Sequence, residues 1–168
     1  MNTVDIEIAL AERFNYRQNL IVPNVCWGIN IHECDMLIVS KSGYLTEVEI
    51  KTSVSDLRKD MTKTHQHNQG TRIKHLYFAI PADMIFYTDY IPNNAGLFII
   101  DEHKYGGLYA RCIKSPVTNK DALQTKVREH IGHLGSMRIW KLKIENRRLI
   151  KNIQTLEKKL KGFEGISL

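Results

Sequence analysis

The 168-residue sequence predicts an α/β domain with a mixed central sheet flanked by helices, followed by a C-terminal helical extension. Three observations carry that expectation. Helical and extended signals alternate as helix, three strands, helix and further strands, the order of a layered α/β domain. A hydrophobic content of 43% in a chain of this length supplies a real core for one ordinary domain plus an appendage. Charge is divided unevenly: residues 1–118 hold 12 Lys and Arg against 13 Asp and Glu, whereas residues 119–168 hold 12 against 5. A near-neutral domain over 1–118 and a basic helical arm over 119–168 follow. A basic arm suits a polyanionic partner.

The elements follow in order. Residues 3–19 read as a helix capped by Thr3, with Ile6, Leu10, Ala11 and Phe14 at helical spacing. "LIVPNVCWGI", 20–29, is extended, and Pro23 makes it an edge or irregular strand. Met36–Ser40 and Tyr44–Lys51 form a hairpin. "SVSDLRKDMTKTHQHNQ" is a helix in which Ser53 and Asp56 have capping-box spacing. "KHLYFAIP", 74–81, "GLFIID", 96–101, and "GGLYARCI", 106–113, are the later strands.

Beyond Asn119 the period changes. Ile139, Asn146, Ile153 and Leu160 fall at one core position of a heptad, and Leu142, Leu149, Leu156 and Phe163 fill the other. A single polar core residue in such a repeat resembles a parallel two-stranded coiled coil, in which a core Asn sets register and dimer state. A homodimer through residues 137–163 is therefore expected.

The hairpin raises the question of function. Glu47, Glu49 and Lys51 alternate with Val48 and Ile50, so the three charges share one face of a strand. A three-residue loop over Ser42, Gly43 and Tyr44 puts Asp35 opposite Lys51 and gathers all the charges on that face. A two-residue loop puts Asp35 opposite Ile50 and scatters them. Gly43 suits the longer loop, which needs a left-handed residue. Two close carboxylates are costly to bury without a cation between them. Asp35, Glu49 and the backbone carbonyl of Ile50 are hard oxygen donors suited to Mg²⁺ or Mn²⁺. Such an ion polarises a phosphate and acidifies a bound water, and Lys51 beside it offsets the developing charge.

"ECDMLIVSKSGYLTEVEIKTSVSDLRKD", "KHLYFAIP" and "GLFIIDEHKYGGLYAR" together resemble the PD-(D/E)XK nuclease superfamily, with Cys34-Asp35 in place of Pro-Asp. Within it they look most like the MmcB-like DNA-repair family, over about residues 33–115. The chain departs from that family at Thr62-Lys63, where the family tends to carry Lys-Trp. The resemblance implies a restriction-endonuclease-like sheet and a metal-dependent deoxyribonuclease in DNA repair, with Asp35, Glu49 and Lys51 catalytic. The reading from another class is a DNA-binding or assembly module that keeps the fold without turnover.

The first helix of that superfamily often adds an acid near the metal, and Glu7 is preferred to Glu12 for it. Lys63, Gln66 and Gln69 follow the metal strand and are placed to meet DNA phosphate. In the arm, Arg138, Lys141, Lys143, Arg147, Arg148, Lys151, Lys158 and Lys159 lie mostly outside the apolar seam and are expected to meet DNA. His65, His67 and His75 lack zinc-ligand spacing. GxSxG, Walker and GxGxxG motifs are absent. The N-terminus has acids and no basic n-region, no apolar run approaches a membrane span, and three cysteines lack CxxC spacing. A cytoplasmic, non-membrane location is expected.

Overall fold

The computed structural model describes residues 1–25, 33–61, 73–104, 106–118 and 125–164. Residues 1–132 form one compact unit and residues 133–168 a second. Among the described residues of the first, six strands make one mixed sheet whose strand order follows chain order: β1 (Leu20–Val25), β2 (Cys34–Val39), β3 (Leu45–Ile50), β4 (Ile73–Pro81), β5 (Gly96–Glu102) and β6 (Leu108–Lys114). The β1–β2, β2–β3 and β5–β6 pairs are antiparallel, and β3–β4 and β4–β5 are parallel. Pro23 does lie on an edge strand, where its missing N–H costs no ladder bond.

Helix α1 (Thr3–Arg13) is capped by Asn2 rather than Thr3: the Asn2 side chain accepts from the Asp5 N–H at 2.9 Å. It also stops short of the expected residue 19. Asn15 turns left-handed at φ 53°, and the Asn19 amide donates to the Phe14 carbonyl, so the apolar spacing past Phe14 has no helix to ride on. Ile6 and Leu10 of α1 bury against Met36, Ile38, Val48 and Ile50 on one face of the sheet.

Helix α2 (Val54–Met61) starts as its sequence predicts, with the Asp56 N–H donating to Ser53 Oγ at 3.2 Å. The rest of its expected span, to Gln69, lies outside the described residues. Leu57 seats it on Phe78, Ile80 and Ile99. A 3-10 segment, Ala82–Tyr90, follows β4, and Arg58 of α2 lies over the Tyr90 ring at 5.1 Å. Strand β6 begins at Leu108, not Gly106, because Gly106 and Gly107 turn left-handed to close the β5–β6 loop.

Helix α3 (Thr125–Glu164) is continuous over 40 residues. Its first turns belong to the domain, where Ile131 joins Leu37, Val39 and Leu45 in the core. Among the described residues no helix is long and apolar enough to cross a membrane.

Candidate active site

The charged face of the hairpin forms, but in a different register from the expected one. Met36 pairs with Val48, Leu37 with Glu47 and Val39 with Leu45, and one further pair places Asp35 across from Glu49 rather than Lys51. The loop has three residues, Lys41, Ser42 and Gly43, closed by the Ser40 N–H donating to the Tyr44 carbonyl at 3.0 Å. Gly43 is left-handed at φ 80°, as the longer loop requires. Sliding the loop by one residue moves the register by two, so parity survives and the charges still converge.

The geometry is compact. Glu47, Glu49, Lys51 and Asp60 are all buried. Lys51 Nζ lies 2.7 Å from Glu49 Oε2, 3.2 Å from Asp60 Oδ1 and 3.9 Å from Asp35 Oδ2. The Ile50 N–H donates to Asp35 Oδ2 at 2.8 Å, which fixes that carboxylate at the end of β2. The Lys51 N–H donates to the Ala79 carbonyl at 3.0 Å, which ties the end of β3 to β4. With 38% of its side chain exposed, Asp35 is the open side of an otherwise closed cluster.

Electrostatics follow from this packing. Burial raises the Glu49 pKa from 4.5 to about 7, with the Asp35 and Glu47 charges adding to the rise and Lys51 opposing it. Burial alone works to lower the Lys51 pKa, but Glu49, Asp60 and Asp35 outweigh it, so the ammonium is held more firmly charged than an ordinary lysine. The neighbouring Cys34 thiol is pushed up by burial first and then by the Glu47, Glu49 and Asp35 charges, which keeps it protonated.

Asp60 was not singled out from the sequence for any role. Its signal is an acid three residues after Leu57, on the stripe that α2 turns to the core. Glu7 is half-buried and accepts from the Asn24 amide at 3.3 Å, and the β1–β2 register carried through places Asn24 across from Asp35. Glu12 is exposed. His75 sits apart from the carboxylates, 3.4 Å from Thr46 Oγ1 and 3.3 Å from Thr118 Oγ1. Lys63, Gln66, Gln69, His65 and His67 lie outside the described residues. On the separate arm, Lys141, Lys143, Arg147, Arg148, Lys151, Lys158 and Lys159 are exposed and Arg138 is half-buried.

The donor set fits a hard divalent cation. Asp35, Glu49 and the Ile50 carbonyl offer oxygen alone, and Asp60 adds negative charge beside the Lys51 ammonium. Among the described residues no three His, Cys, Asp or Glu side chains converge as a ligand set.

No curated protein matches the chain. A protein of unknown function from Silicibacter pomeroyi shares its fold at 15% identity, with a TM-score of 0.58 over 83% of this chain and 86% of that one. The family model described as DNA repair protein MmcB-like matches residues 22–136, which takes in the whole sheet except the first two residues of β1 and contains the Asp35, Glu49, Lys51 and Asp60 cluster. The chain therefore belongs to the MmcB-like family of DNA repair proteins.

Proposed function

We propose that the protein is a metal-dependent DNA nuclease of the PD-(D/E)XK type that hydrolyses phosphodiester bonds in DNA repair. The observation that supports this reading most is Lys51, a buried ammonium gripped by Glu49 and Asp60 beside a carboxylate that remains open to solvent. A chain gains no stability from such a cluster that packed aliphatic residues would not supply as well.

Asp35, Glu49 and the Ile50 carbonyl would hold Mg²⁺ or Mn²⁺. When bound, the ion polarises a phosphate oxygen and lowers the pKa of a coordinated water. The chain's own residues do the rest. The Ile50 N–H aims the Asp35 carboxylate. In the metal-free protein Glu49, Asp60 and Asp35 hold the Lys51 ammonium charged, which suits it to serve as a positive charge toward the phosphate. Asp60 holds that ammonium from α2, opposite Glu49. Glu7 acts at one remove, through Asn24.

The test is cleavage of single-stranded, duplex and branched DNA in Mn²⁺ by the intact protein and by Lys51→Ala and Asp35→Asn. Loss of one preorganised charge costs on the order of 10²–10³ in rate, so both variants should fall by at least that much. Calorimetry should show Mn²⁺ binding lost in Asp35→Asn and kept in His65→Ala. DNA binding by both intact and Lys51→Ala protein, with cleavage by neither, would leave a binding module that retains the fold.

A further inference from the structure

We propose that α3 between Met137 and Leu160 is an interaction surface for a second copy of this chain, paired with it as a parallel coiled coil. The observation is an apolar stripe in the wrong place. Ile139, Leu142, Leu149, Ile153, Leu156 and Leu160 are each between 54% and 64% exposed. They recur at alternating spacings of three and four along one unbroken helix, and only Asn146 interrupts them. Together they leave an aliphatic stripe exposed along the helix, a surface of the kind that marks an interaction site.

The described part of the second unit is this one helix. A lone helix cannot bury a straight stripe against itself; a partner with a matching stripe can cover it. A copy of the same helix does so at every layer. Asn146 selects the copy and its direction. In a parallel pair in register it meets its own equivalent, and the two amides bond to each other. In an antiparallel pair the same amide faces a leucine or isoleucine position and is buried without a partner, which is unfavourable. Ile150 lies at a position flanking the seam and widens it, whereas Ile144 falls on the far side and stays in solvent. Arg138 faces Lys143 across the flank, a local repulsion, and Asn152 faces Glu157, a hydrogen-bonding pair. The flanks therefore contribute little, and the aliphatic layers carry the association.

The test uses the full chain in sedimentation equilibrium at micromolar concentration, with no DNA and no metal. The expected result is a dimer. Leu149→Asp with Leu156→Asp should be monomeric while the domain melts at the unchanged temperature. Asn146→Cys should give a disulfide-linked dimer under mild oxidation, where the native cysteines give none. Asn146→Leu should remain associated and shift toward higher oligomers, as loss of the core amide relaxes oligomer choice. A monomeric intact chain overturns the proposal. So does a dimer that survives the double aspartate variant, which would place the contact elsewhere. A dimer that Asn146→Cys fails to crosslink overturns the parallel pairing. None of these readouts involves cleavage, so the nuclease reading stands or falls separately.

Discussion

In the domain, carboxylates and an ammonium are buried; in the arm, leucines and isoleucines are exposed. Each region inverts the ordinary distribution of side chains, and each inversion has a cost. Lys51, Glu49 and Asp60 give up hydration to sit among Leu57, Phe78 and their neighbours. Ile139, Leu149 and Leu156 leave apolar surface in water, which is unfavourable. The lesson is that what a region lacks can be read from the sign of its anomaly. On the readings proposed above, the buried charge would be matched by an ion or a charged substrate and the exposed aliphatic surface by another apolar surface.

The sharpest way to break the comparison is to neutralise the buried cluster. Lys51→Met keeps most of the volume and removes the charge, leaving Glu49 and Asp60 without their ammonium. Breaking a buried pair from one side costs about 3–5 kcal/mol, so urea unfolding of the metal-free variant at pH 8 should show a loss of that size. An unchanged midpoint would mean that the cluster is hydrated and the contrast with the arm is empty.

A smaller effect concerns pH. Between about 4.5 and 7 the folded protein keeps a Glu49 proton that the unfolded chain has released. Stability of the metal-free protein should therefore fall as pH rises through that window, and Glu49→Gln should flatten the fall. A slope that persists in Glu49→Gln would assign the proton to another group. The smallest expected effect is on the arm: truncation after Ser136 should weaken DNA binding by about tenfold, or 1.4 kcal/mol, and make it less sensitive to salt. Unchanged salt dependence would show that the exposed lysines and arginines of the arm serve only solubility.

Much of the fold was legible because local signals agreed with one another. Ser53 and Asp56 marked the start of α2, Pro23 marked an edge, and Gly43 demanded a left-handed loop position. The register of the hairpin was less legible. Which three residues make the loop is decided by the Ser40–Tyr44 backbone pair, and the apolar pattern is the same for either choice. The end of α1 was missed because Phe14 belongs to the core whether or not a helix carries it there: it packs edge-on to Phe98 at 5.4 Å just beyond the last helical residue. The alternation of Glu47, Glu49 and Lys51 sufficed to place charge on one face of β3. Asp60 reaches the cluster from a separate helix: its spacing of three from Leu57 puts it on the inward stripe of α2, but its meeting with Lys51 depends on how that helix docks on β3. The same separation applies to Asn24, which meets Glu7 only after β1 has paired.

The strand order, in which every neighbour in the sheet is also the next strand in the chain, bears on how the molecule folds. Closing a loop costs entropy that grows with its length, and here no strand must wait for a distant segment before it can pair. The sheet can grow by one strand at a time from either side of the β2–β3 hairpin. Asp35, Glu49, Lys51 and Asp60 all lie on that hairpin and the helix that follows it, so the machinery can assemble as one local nucleus. Mutations that loosen β5 or β6 should then speed unfolding and leave the folding rate nearly unchanged, whereas changes at the Lys41–Gly43 turn should slow folding itself.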